Sequence, residues 1–131
     1  MFNDNEISEI RNRIFNLVHF EYDGQIEVME FDGVKVAANN DGATVGASSL
    51  NELARAFFLF AMEKSVGKSN IEILQKPVFE RLGVMLSLQY PMKAEAVVNY
   101  MEVMAALGYN YLLMYMETSY EIKDYPFFGY M

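Results

Sequence analysis

The sequence predicts an α+β fold, with a small helix-and-antiparallel-sheet unit at the front and a strand–helix–strand unit behind it. Three observations lead there. Apolar residues recur at helical spacing in residues 4–18, 49–64 and 92–107. Short strand-like segments separated by Gly, Asn and Asp lie between the first two helices. After Lys76-Pro77 the pattern changes to nearly continuous apolar runs of strand length, as parallel strands covered on both faces require.

Taken in order, Ile7, Ile10, Ile14 and Leu17 form the apolar stripe of a first helix over residues 4–18, and Asn3 with Glu6 fits a capping box at its start. Gln25–Phe31, Val34–Ala38 and Ala43–Ala47 read as three strands. Asp32-Gly33 is a two-residue hairpin signal and Asn39-Asn40-Asp41-Gly42 a longer turn, so the three strands are expected as an antiparallel meander. Ser49-Leu50-Asn51-Glu52 opens a second helix running through about Lys64, whose Leu53, Ala54, Phe57, Phe58 and Ala61 are expected to cover one face of the sheet. Gly67 fits its C-terminal stop, and Asn70–Leu74 reads as a fourth strand.

Lys76-Pro77 marks the expected boundary between a first domain, residues 1–76, and a second, residues 77–131. Leu82–Leu88 and Asn110–Met116 read as strands flanking a helix over Met92–Leu107, which Gly108 ends. Val97, Met101, Met104 and Ala105 form the expected dry side of that helix, and Glu95, Asn99 and Glu102 its wet stripe. Strand, helix and strand with short connections make a right-handed βαβ unit.

Composition narrows the function classes. Of 131 residues, 53% are hydrophobic, enough for a packed core. A net charge of −8 without clustered Lys or Arg disfavours nucleic acid as a partner. No apolar run approaches membrane-spanning length, and the acidic start lacks a secretory pattern, so a cytoplasmic protein without a membrane partner is expected. The absence of cysteine excludes disulfides and thiolate metal sites. His19 is the single histidine, expected at a helix end and partly packed against Phe20 and Tyr22; alone it makes a poor metal ligand. Glu117, Glu121 and Asp124 do not have the spacing of a calcium loop. Ser87 has no His or Lys near it in sequence to activate it as a nucleophile. Neither a metal nor a cofactor is implied.

The stretch from Tyr100 to Glu117, Tyr-Met-Glu-Val-Met-Ala-Ala-Leu-Gly-Tyr-Asn-Tyr-Leu-Leu-Met-Tyr-Met-Glu, is similar to the first barrel helix and second barrel strand of glycoside hydrolase family 20, the β-N-acetylhexosaminidases. Tyr120 to Tyr130 resembles the loop after that strand in one bacterial branch, and the upstream α+β unit resembles the small domain preceding the barrel there. The resemblance implies that residues 77–131 open an incomplete (β/α)8 barrel and that the parent enzyme hydrolyses terminal N-acetylhexosamine from glycans. It implies substrate-assisted chemistry, in which a Glu is the general acid and an adjacent Asp orients the sugar's acetamido group. The pair would lie beyond Met131, so the chain alone is expected to be inert. The family's first strand usually ends in Asp-x-x-Arg, whose Arg grips sugar hydroxyls. Here Met85 and Leu88 stand at those places, and the clamp does not carry over. Glu117, at the end of the second strand, is a candidate to line the sugar pocket, against the plainer reading of a solvated carboxylate. Tyr115 is a candidate stacking platform, against that of a buried tyrosine satisfied by a hydrogen bond. The alternative function is a non-catalytic interaction module that self-associates through residues 78–131, where exposed strand edges favour a homo-oligomer.

Overall fold

The structure is a computed structural model and describes residues 2–87 and 93–115. It is mixed α+β, with three helices and two sheets in the described residues: α1 (Asp4–Leu17), β1 (Ile26–Glu30), β2 (Val34–Ala38), β3 (Ala43–Ala47), α2 (Leu50–Ser65), β4 (Ile71–Gln75), β5 (Gly83–Ser87), α3 (Ala94–Ala106) and β6 (Tyr111–Tyr115).

The helices begin and end for identifiable local reasons. The Asn3 side chain accepts from the Glu6 amide, and Glu6 accepts from the Asn3 amide, completing the expected capping box. At α2, Ser49 accepts from the Glu52 amide, whereas the Glu52 carboxylate turns to the amide and hydroxyl of Ser48, one residue earlier than the motif predicts. All three helices stop in one way. The second residue after the C-cap donates to the carbonyl five positions back, Phe20 to Phe15, Lys68 to Glu63 and Tyr109 to Met104. Between them sit His19, Gly67 and Gly108, all at positive φ. His19 is therefore an exposed backbone pivot with φ 52°, and Phe20 and Tyr22 make the aromatic packing instead. The Phe15 and Phe20 rings meet edge to face at 5.0 Å across that stop.

The first sheet departs from the expected meander. Its strand order is β1-β3-β2-β4, with β1 parallel to β3 and β2 antiparallel to both β3 and β4. Asp32-Gly33 is not a hairpin turn but a crossing over the end of β3. The reason lies in side-chain parity. A two-residue hairpin there would set Glu27 opposite Ala38, on the core face, and turn Ile26 and Val28 outward. The observed register instead pairs Ile26 with Ala43 and Val28 with Val45, keeping both apolar residues on the core side and Glu27 in water. Gly33 makes the crossing, with φ 108° and its Cα so close to the chain that an added Cβ would lie 2.5 Å from the Gln75 carbonyl oxygen.

Helix α2 packs on one face of this sheet, and α1 packs on α2. Leu53, Ala56, Phe57, Phe60 and Ala61 of α2 are fully buried, together with Val36, Val45 and Ala47 from the sheet. Phe58, expected in the core, is only half-buried, whereas Ala56 and Phe60 are inside; α2 is covered on more than one side because α1 and α3 also pack on it. Ala106 of α3 belongs to the same core, so the segments before and after Lys76-Pro77 share one apolar interior.

The strand pair β5–β6 is parallel, in the register Gly83–Tyr111 to Ser87–Tyr115, and α3 connects its two strands. This is the expected βαβ connectivity. The expected ends of these elements at Leu88, Met92 and Met116 lie outside the described residues. Among the described residues, no helix is long and apolar enough to cross a membrane.

Candidate functional site

Three places offer concave or uncovered surface: the bare face of β5–β6, a cleft at the opposite end of that pair, and the open face of the first sheet.

Residues paired across β5 and β6 share a face. Gly83 and Tyr111, Met85 and Leu113, and Ser87 and Tyr115 therefore stand on one side of the pair. Met85 is 59% exposed, Leu113 50%, Tyr111 48% and Tyr115 45%. Gly83 is required here, because an added Cβ would meet the Tyr111 ring at 2.8 Å. Tyr115, the expected stacking platform, thus sits half-exposed at the C-terminal end of β6 beside Ser87, and not in the core. Glu117, its expected companion, lies outside the described residues, as do Leu88, Glu121, Asp124 and the aromatic run Tyr120 to Tyr130. Met85 presents a thioether to this face, a group with no hydrogen to donate to a sugar hydroxyl.

The N-terminal ends of the strands are built more firmly. The Asn110 amide donates to the Glu80 carbonyl at 2.8 Å, and its oxygen accepts from the Leu82 amide at 2.8 Å. The backbone amides of Asn110 and Tyr111 both donate to the Leu82 carbonyl. One asparagine thereby ties the chain entering β5 to the chain entering β6 and sets their register. Sequence reading treated Asn110 only as the start of a strand, and its position beside the helix-stopping Gly108 is the one signal it offers.

Beneath residues 76–82 lies a cleft of about 380 Å³, bordered by Arg55, Gln75, Val78, Phe79, Leu107 and Asn110. Arg55 governs it. Its guanidinium donates to the Ala106 carbonyl at 3.0 Å and to the Gln75 side chain at 3.4 Å, and lies 5.7 Å from the Phe58 ring centre. Partial burial lowers its pKa, although a guanidinium stays charged at neutral pH. The cation meets the negative end of α3 and satisfies the Ala106 carbonyl, while the Met104 and Ala105 carbonyls accept from the Tyr109 and Gly108 amides. One turn earlier on α2, Asn51 donates to the Tyr109 carbonyl at 3.3 Å. Two residues on one face of α2 thus clasp the turn that joins α3 to β6.

On α3, Glu95 and Asn99 are exposed as expected, but Glu102 is half-buried and bonded to Arg13 of α1 at 2.6 Å. Arg13 has its pKa raised by the hydrogen bonds of Glu102 and Glu9. Met101, expected on the dry side, is 49% exposed, and Val98 is 45% exposed. The buried contact of α3 falls on Ala106 instead.

The open face of the first sheet forms a shallow groove of about 1190 Å³ over Ala37 and Thr44, between Glu27 of β1 and Glu72 of β4. Its acidic edge strands are what an uncovered sheet needs to resist edge pairing. Among the described residues no three His, Asp or Glu side chains converge on a point that would hold a metal ion. Among the described residues, Arg13 and Arg55 are the groups with shifted pKa values, and both are bound to structural partners.

No family model matches the chain, and none of the curated proteins matches it.

Proposed function

We propose that the chain is the N-terminal part of a family 20-like β-N-acetylhexosaminidase, whose complete form removes terminal N-acetylhexosamine from glycans, and that these 131 residues are inert alone. In this reading residues 1–76 are the small α+β domain and residues 77–131 the opening of a (β/α)8 barrel. A cytoplasmic setting belongs to the same proposal.

The observation that supports it best is β5–α3–β6: among the described residues, a two-stranded parallel pair joined through a helix, with Met85, Tyr111, Leu113 and Tyr115 half-exposed on one face. Two parallel strands with a bare face are not a stable end point, because parallel sheets occur with both faces covered. Helix α3 adds to the case. It is apolar around most of its girth, packs on α1 and α2 on one side, and still exposes Val98 and Met101 on another. A helix of that kind belongs between neighbours. In the barrel reading, the face carrying Met85, Leu113 and Tyr115 looks inward, and the ends at Ser87 and Tyr115 lie on the rim where barrel enzymes bind substrate.

The chemistry of the proposal assigns no proton donor to this chain. No adjacent Asp-Glu pair occurs anywhere in the sequence. Met85 and Leu88 stand in place of the sugar clamp, so the parent would hold its substrate by other contacts or accept a different one. Incubation with a chromogenic N-acetylglucosaminide tests inertness, and turnover above blank overturns it. The reading frame after residue 131 tests the family. Further strand–helix units followed by an adjacent Asp-Glu pair support the barrel, and a frame encoding anything else removes it.

A second reading, a non-catalytic module that self-associates through residues 78–131, rests on a separate observation. Of 17 exposed large hydrophobic residues among those described, 12 lie between Val78 and Tyr115. Size-exclusion chromatography with light scattering distinguishes a discrete, stable dimer, which this reading requires, from weak and open-ended association.

A further inference from the structure

We draw no further inference here: the strongest candidate, the bare apolar face of the β5–β6 pair formed by Met85, Tyr111, Leu113 and Tyr115, carries nothing beyond the reading above, because nothing in the structure shows what covers it.

Discussion

Arg55 holds the strand–helix–strand unit against the rest of the molecule, and its removal should loosen that unit without melting the sheet behind it. Arg55→Ala deletes the 3.0 Å bond to the Ala106 carbonyl, the longer bond to Gln75, and a stem that lies close to Gly108. Hydrogen bonds involving a charged group contribute about 1.5–3 kcal/mol, and partial exposure places this one near the lower end. Lost stem packing adds roughly 0.5 kcal/mol, for a total of about 2 kcal/mol. That cost falls on the docking of α3 and β6, because the α2 clasp holds the carbonyl of the last α3 residue, Ala106, and that of Tyr109 in the turn before β6.

Hydrogen exchange read by mass spectrometry separates the two units. Amides of Ala105–Leu112 should exchange about 30-fold faster in Arg55→Ala, the equivalent of 2 kcal/mol, while β2 and β3 keep their protection. Arg55→Lys should recover only part of the loss, since one ammonium cannot reach two acceptors in the geometry of the fork. Equal acceleration in Val36 and Val45 would mean that Arg55 supports the whole fold rather than the docking. Unchanged exchange at Ala105–Leu112 would mean that the clasp is not holding the turn.

Other perturbations test the local arguments. Gly33→Ala should cost about 1–3 kcal/mol, because the residue sits at φ 108° with the Gln75 carbonyl in the path of a side chain. Gly42→Ala, with nothing within 4 Å of the new methyl, should be near neutral, and equal losses of Tm in the two variants would refute the crossing argument. His19→Gly should stabilise by up to about 1 kcal/mol in urea titrations followed by circular dichroism, since the position demands positive φ and the side chain is exposed. A lower midpoint would show that the imidazole makes a contact worth more than the backbone strain.

Most elements were legible in the sequence because their signals are local. The capping pair Asn3 and Glu6, the stop at Gly67 and the stripe Leu53, Phe57, Ala61 each report on neighbours within one or two turns. The order of the first sheet was not, because Asp32-Gly33 suits both a hairpin and a crossing. Only the parity of Ile26 and Val28 against Glu27, set by which face of the sheet meets the core, decides between them. The same limit applies to α3. Its periodicity assigned Met101 to the dry side, but contact with α2 came through the small Ala106 near its end, where close approach is possible. Of the candidate site, Tyr115 is half-exposed rather than buried, a setting that depends on what else covers β6, which no local pattern encodes. Arg55 and Asn110 were invisible as organising residues because their partners are backbone carbonyls and amides, which carry no sequence signature.

The bare face of β5–β6 also weighs the two functional readings against each other. Met85, Tyr111, Leu113 and Tyr115 leave on the order of 100 Å² each in water, about 400 Å² together. Two copies meeting on this face would bury about 800 Å², short of the roughly 1,200 Å² at which specific interfaces become stable. A closed barrel would cover the same face from within and gain on the order of 10 kcal/mol from it. The isolated chain should therefore associate weakly and without a fixed stoichiometry, and Leu113→Lys, which puts an ammonium at the centre of the patch, should shift light-scattering mass toward the monomer at every concentration. A discrete dimer that survives dilution, or one indifferent to Leu113→Lys, would refute this estimate and favour an interface built from a larger part of residues 78–115 than the face alone.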